Sequence, residues 1–452
     1  MTTPTRREFI QTGATAATVP FLGFGGTDDA LTTLATTSPD EVIEYDSAIP
    51  SWIVRHEADS AESLREWASS NDDRRIVTEH GALNMMTVVA PRTHVTGGRF
   101  GSGLAHKSYV SLVDLNIAAS LPNPLRSLDD ASAWDFDLST VHKQWSWVHG
   151  EFGVGGEPSL TDVAFNKDAT VTAMDQVRDA TWATGLGVDT STLTPCIIDS
   201  GLNAGSIFED DSGTTRILDE SKDFISGKTV AEGGLSVLED GAGHGTFVTS
   251  QVAANPSDSN AEYQGYLPAA DILSLRALGD DGSGSTDDII AAVNHAIEVG
   301  IDVTAICMSL GSPLYSTALA EAITTAVENG IPCFVAVGND RFGTIWTASP
   351  GDAPDALGVT ATTATGPADE RQIAYFANTG PDTGVYDDSG GTTNGARPAL
   401  GAPGMKIEAL TPNGIKVKSG TSMAAPNVMS GACLLQGAVG GLDAEEVYDR
   451  LT

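Results

Sequence analysis

Four side chains, far apart along the chain, have the types that acyl-transfer chemistry asks of a nucleophile, a base, an orienting acid and a hydrogen-bond donor: Ser422, His244, Asp199 and Asn339. Ser422 stands in Gly420-Thr421-Ser422-Met423-Ala424-Ala425-Pro426, between a Gly-led turn and a small apolar run from Met423 to Gln436 that reads as a helix. A hydroxyl there is exposed at a helix N-terminus, where free N–H groups and the positive dipole end favour an anion developing on a bound carbonyl. Pro426 is read as near enough to the first turn to spare the interior hydrogen bonds. Alone, such a serine is an ordinary N-cap. It becomes a nucleophile only if a base takes its proton and a third group orients that base. Ile197-Ile198-Asp199-Ser200-Gly201 puts a carboxylate at the end of an apolar strand, Gly243-His244-Gly245-Thr246 opens a helix with a histidine, and Gly338-Asn339 ends a second apolar run. Each has a bland reading, as turn acid, packed histidine and turn amide. Together they point to base-assisted nucleophilic attack.

These positions can meet only if the elements bring them to one edge. The C-terminal part alternates strands and helices: Thr194 to Ile198, Asp271 to Leu275, Val303 to Met308 and Ile331 to Val337 as strands, Asp287 to Val299 and Thr317 to Asn329 as helices. That alternation predicts an α/β fold, a parallel sheet with helices on both faces, whose strand C-termini collect functional groups. Upstream, Trp52-Ile53-Val54 and Met85 to Val89 read as strands around a helix from Ser60 to Ser70, with Ser108 to Ser120 as a last strand, a small α/β module of its own.

In the order Asp, His, Asn, Ser, these motifs resemble the subtilisin-like serine peptidases over roughly Val171 to the C-terminus. Leu278-Gly279-Asp280-Asp281-Gly282-Ser283-Gly284 looks like the family's substrate-pairing edge and Met308-Ser309-Leu310-Gly311 like the opposite wall of its cleft. The resemblance implies a secreted serine endopeptidase with Asp199, His244 and Ser422 as its triad and Asn339 as oxyanion donor. Polypeptide substrate would pair with Gly282, Ser283 and Gly284 on one side and Ser309, Leu310 and Gly311 on the other. It implies a precursor in which the upstream module is the chain's own intramolecular inhibitor, the stretch after Asn116 resembling a tail laid in the cleft. It also implies a monomer, no cofactor for the chemistry, and room for structural calcium at sites the sequence does not reveal. Asp340, beside Asn339, would favour basic residues at the cleavage position, but an exposed aspartate is the default in so acidic a chain.

The resulting organisation is a signal over residues 1–27, a prodomain-like module over 28–120, a connection over 121–160 with a Gly-rich stretch, and a catalytic domain over 161–452. The signal resembles a twin-arginine export signal: Arg6-Arg7 precede an uncharged run, Gln11 to Gly26, too short and too rich in Gly and Thr to span a bilayer. In the connection only Pro122, Pro124 and the aromatics Trp134, Phe136, Trp145 and Trp147 stand out; they read as a small core, with a carbohydrate or peptide surface as the alternative. The net charge of −36, from 60 acidic against 24 basic residues with eight lysines, is spread along the chain. It argues against nucleic acid and anionic membranes as partners and fits a protein working in molar salt, where charge repulsion is screened within about 3 Å. Cys196, Cys307, Cys333 and Cys433 sit in apolar runs and read as buried thiols, with Cys307 and Cys333 in consecutive strands.

Three departures from the family pattern stand out: Asn427 where a histidine is common, bulky Phe247 beside the imidazole, and a chain that closes one helix after the nucleophile helix. Two alternatives stay open. One is a self-processing chain that afterwards serves as a binding or scaffold protein. The other is an esterase or amidase on the same triad, disfavoured because the serine is not in a Gly-x-Ser-x-Gly elbow.

Overall fold

The computed structural model describes residues 49–97, 103–121, 170–181, 183–312, 314–339, 347–364, 371–374, 376–378 and 399–452. The expected export signal, the 121–160 connection beyond Leu121 and Asp340 lie outside the described residues. The upstream module begins with β1 (Ser51–His56), α1 (Ala61–Ser69), β2 (Arg75–His80), β3 (Met85–Val89), α2 (Arg92–Thr96) and β4 (Val110–Leu115). They form an antiparallel sheet in the order β2-β3-β1-β4. The strand β2 is absent from the sequence reading, because Arg75 to His80 alternates with too few apolar residues to stand out. One sheet face carries Trp52, Val54 and Val88, closed by Leu64 and Trp67 of α1 and Val95 of α2. Ile53 and Met85 leave the other face and join a different core.

The segment expected as one last strand, Ser108 to Ser120, is two. The chain breaks at Asn116, whose side-chain oxygen accepts from Asp287 N at 3.0 Å, and continues as β5 (Ala118–Ser120) in another sheet.

The second body starts with β6 (Thr172–Ala173) and α3 (Met174–Ala180). It continues through β7 (Pro195–Asp199), β8 (Lys222–Asp223), β9 (Lys228–Thr229), α4 (His244–Ala253), β10 (Leu273–Arg276), β11 (Ser283–Ser285), α5 (Thr286–Glu298), β12 (Ala305–Met308), α6 (Thr317–Glu328) and β13 (Cys333–Ala336). It ends with β14 (Leu357–Thr362), β15 (Leu400–Pro403), β16 (Ile407–Thr411), β17 (Gly414–Lys418), α7 (Thr421–Val439) and α8 (Ala444–Leu451). Its sheet runs β15-β14-β13-β12-β7-β10-β8-β9, parallel throughout except for β9. Alternate strand residues feed cores on opposite faces: Ile197 packs with α4 and α7, and Cys196 and Ile198 pack with α5 and α6. This is the expected α/β architecture. The four cysteines are buried and free. Cys333 pairs with Ile306 and Cys307 with Phe334, so the two thiols point to opposite faces.

Helices α5 and α6 are started by Ser285 and Ser316, whose hydroxyls accept from Asp288 N and Leu319 N. The module sits on these two helix starts. Asp114 accepts from Ala318 N at 3.0 Å and Ser316 Oγ at 3.2 Å; burial raises its carboxyl pKa, and the helix N–H groups hold it back. His80 Nε2 lies 2.8 Å from Asp287 Oδ1, with Thr87 Oγ1 donating to the same oxygen and Thr78 Oγ1 to the other, at 2.9 Å. His80 and Asp287 are both buried. Burial alone would raise the Asp287 pKa, but these bonds outweigh it and hold the carboxyl below its ordinary range. Arg55 pairs with Glu321 further out.

Removing one partner of a buried charged cluster leaves the other uncompensated, at about 3 kcal/mol or more. Asp287→Ala is therefore expected to weaken retention of the module more than a hundredfold, whereas Arg55→Ala at the half-exposed rim changes it less than about fivefold. Binding of the separately expressed module to the remaining chain, followed by calorimetry, checks the contrast.

Candidate active site

The strand β7 is fully buried and ends at Asp199, so its last side chain emerges at the carboxyl edge of the sheet. There Asp199 Oδ1 accepts from His244 Nδ1 at 2.8 Å and from Ser200 N at 2.7 Å, and both residues of the pair are almost completely buried. Its second oxygen, Oδ2, has no hydrogen-bond partner among the described residues. His244 is the first residue of α4, and the helix comes this close because Gly245 follows. A Cβ there would lie 2.3 Å from Gly201 O, so a larger residue would push the imidazole off its acid.

Asp240 fixes the helix start. Its Oδ2 accepts from Thr246 N and Oγ1, at 2.8 and 2.6 Å, and its Oδ1 from Gly243 N and from Ser200 Oγ, each at 2.8 Å. Ser200 Oγ also reaches Asp199 Oδ1, at 3.2 Å. Sequence reasoning passes over Asp240 and Ser200, because an acid ahead of a helix looks like a routine cap.

Ser422 is the second residue of α7, buried at 2% exposure. Its Oγ lies 3.4 Å from Ser309 O, and it makes no hydrogen bond to His244; catalytic contacts commonly tighten only when substrate binds. The helix runs from Thr421 to Val439, so Pro426 lies inside it, not in its first turn as the sequence suggests. A proline there cannot donate to the carbonyl four residues earlier, which is that of Ser422. The Ser309 hydroxyl fills the place, donating to Ser422 O at 3.0 Å, and Gln251 Nε2 donates to Met423 O at 2.9 Å. The proline is tolerated because the Ser309 side chain takes over the one backbone bond it removes.

Asn339 lies beside Thr421, the residue before Ser422. Its Oδ1 accepts from Thr421 N at 2.9 Å and Thr421 Oγ1 at 3.0 Å. That leaves Nδ2 turned toward Gly420, where an added Cβ would lie 3.2 Å from it. The amide is thus oriented as a donor at the helix start. Thr421, unremarked in the sequence, sets that orientation.

The two edges hold the chain's own segment. β5 pairs antiparallel with β11, with Ser120 opposite Ser283, Ala119 opposite Gly284 and Ala118 opposite Ser285. On the far side Ser120 and Gly311 exchange backbone bonds of 3.0 and 2.9 Å, and Leu121 N donates to Gly282 O at 2.8 Å. Gly282 is required here: its φ is +77°, and a Cβ would sit 2.7 Å from Leu121 Cδ1. Ser309 and Leu310 continue the second edge toward Ser422. Among the described residues no group of three or more His, Cys, Asp or Glu side chains converges as a metal site would.

A family model described as the Subtilase family matches residues 191–452, and the chain belongs to that family. It is 31% identical to the major intracellular serine protease of Bacillus subtilis over 48% of this chain and 63% of that protein. It is 30% identical to subtilisin DY of Bacillus licheniformis over 51% of this chain and 73% of that one. The solved structure of Sphericase aligns with 64% of the chain and 86% of its own length, at a TM-score of 0.50 and 24% identity, a likeness of fold. The chain thus spans somewhat under two thirds of the first of these relatives.

Ser309→Ala leaves the buried Ser422 carbonyl without a donor, which costs about 1–3 kcal/mol. The expected result is a melting temperature lower by roughly 2–10 °C and slower labelling of Ser422 by a fluorophosphonate. Ser309→Thr, which keeps the hydroxyl, is expected to restore most of both.

Proposed function

We propose that this chain is a serine endopeptidase that hydrolyses peptide bonds in extended polypeptides and is made as a precursor whose upstream module inhibits it in place. The observation that carries the reading is the segment 118–121, held as a strand between two backbone edges, the second of which runs back to Ser309 against Ser422. An extended peptide of another protein would use the same edges, adding main-chain pairs with little demand on side-chain identity. Membership of the family supports the same chemistry.

In this mechanism His244 accepts the Ser422 proton as Oγ attacks the peptide carbonyl, then passes it to the leaving amine. Asp199 keeps Nδ1 protonated and stabilises the imidazolium. The oxyanion is met by Asn339 Nδ2 and the Ser422 backbone N–H, both at the start of α7. Gly282, Ser283, Gly284, Ser309, Leu310 and Gly311 hold the substrate backbone. These steps run on the protein's own groups, and a structural calcium stays outside them. Twin-arginine export, secretion, action as a monomer and a molar-salt setting complete the proposal. Their support is the Arg6-Arg7 leader and the net charge of −36.

The test is expression of wild type and Ser422→Ala in high salt, with chain length followed by mass spectrometry and hydrolysis of a denatured protein measured alongside. Wild type is expected to shorten from its N-terminus and digest the substrate. Ser422→Ala should stay full length and lose at least about a thousandfold in rate. If both variants process alike and neither digests anything, the peptidase reading fails.

A further inference from the structure

Helices α4 and α7 carry His244 and Ser422, and one side chain reaches from the first helix to the second. Gln251 follows His244 on α4 by seven residues, close to two full turns, so the two share a face of the helix. Gln251 is fully buried. Its Nε2 donates to Met423 O at 2.9 Å and to Asn427 Oδ1 at 3.2 Å, both on α7, and Met423 is the residue after Ser422.

The direction of this link is fixed at both ends. A backbone carbonyl only accepts, so Met423 O demands the amide nitrogen of Gln251. Asn427 Nδ2 donates to Pro403 O at 2.7 Å, which turns its Oδ1 toward Gln251. Side-chain bonds thus run without a break from α4 across the first turns of α7 to the end of β15. Asn427 departs from the family pattern, and here its amide supplies what the link needs, an acceptor toward α4 and a donor toward β15.

The link works against stability in one respect. Both N–H groups of Gln251 are spent on α7, while its Oε1, also buried, has no hydrogen-bond partner among the described residues. A buried acceptor left unpaired opposes folding, and an apolar side chain of the same length would avoid it. Stability alone therefore does not account for an amide at this position.

We propose that Gln251 is a positioning residue that holds the start of α7 at a set distance from α4, so that the Ser422 hydroxyl stays within reach of the His244 imidazole when substrate binds. It touches no reacting atom, and its effect passes through the backbone of Met423. The inference rests on the peptidase reading for its catalytic meaning; the link between the helices does not. A misplacement of about 1 Å between reacting groups costs on the order of a hundredfold in rate. The edges that pair with an extended chain lie on other elements, so binding is expected to change little.

The experiment replaces the amide by a side chain of equal length, Gln251→Met, in the processed full chain. Expected are a kcat for peptide hydrolysis lower by roughly ten- to a hundredfold, a KM within about twofold of wild type, and a melting temperature no more than about 2 °C lower. Should Gln251→Met fold poorly, Gln251→Leu carries the same expectation. Adding Asn427→Leu to Gln251→Met is expected to cost less than about threefold more in kcat, since the link is already broken. Hydrogen exchange over residues 421–427, followed by mass spectrometry in a Ser422→Ala background where no activity is needed, is expected to quicken roughly tenfold in Gln251→Met. A kcat within twofold of wild type, or one that falls only in step with the melting temperature, overturns the proposal, as does unchanged exchange. If exchange quickens but wild type hydrolyses no peptide, the link between the helices stands and the peptidase reading falls.

Discussion

Two buried carboxylates tied through one hydroxyl set the geometry of this site. Asp199 and Asp240 would each cost several kcal/mol to bury without partners, and their partners are the groups that must be placed. Asp240 accepts from Gly243 N and Thr246 N and so fixes where α4 starts; Asp199 accepts from the ring nitrogen of the first residue of that helix. Ser200, bridging both, keeps the end of β7 and the start of α4 in register. The position of the imidazole is thereby decided by hydrogen bonds that folding must make anyway, and little of it is left to the loop between.

Ser422 is held by a different device. Pro426 removes the hydrogen bond that would have closed on the Ser422 carbonyl, and Ser309, at the end of the neighbouring strand β12, supplies it. One residue therefore ties the helix carrying Ser422 to the wall that pairs with the chain's own extended segment, since Ser309 O in turn accepts from Ser422 Oγ. An ordinary helix start would satisfy its own carbonyls and leave the wall free to shift.

The strong periodic elements were legible in the sequence: the helices over 286–298 and 317–328 and the strands ending at Asp199 and near Asn339 follow from apolar spacing and flanking caps. Asp199 and His244 were expected at a strand end and a helix start, and there they meet, while Asn339 lies at Thr421, the residue before Ser422. What stayed hidden depends on distant partners. Asp240 and Thr421 look like turn residues until the structure supplies Ser200 and Asn339. β2 is polar on one face and shows its purpose only when Thr78 and His80 meet Asp287. Pro426 reads as a boundary mark because local rules cannot foresee a hydroxyl arriving from residue 309. Asn427, in place of a common histidine, donates to Pro403 O and so belongs to the packing of α7 against β15.

The attachment of the upstream module divides into a weak part and a strong one. In the cleft the segment 118–121 contributes a few backbone bonds, each worth about 1 kcal/mol net, so that alone it would bind near the millimolar range. A free peptide held that loosely would leave quickly. The module makes up the difference away from the cleft, where Asp114 and Asn116 meet the starts of α6 and α5 and His80 and Thr87 enclose Asp287. Because the segment follows β4 directly, docking of the sheet raises its local concentration at the edges without any new contact there. Occupancy of the edges by this segment is then governed by polar contacts at the starts of two helices, and the edges themselves can remain undemanding toward sequence.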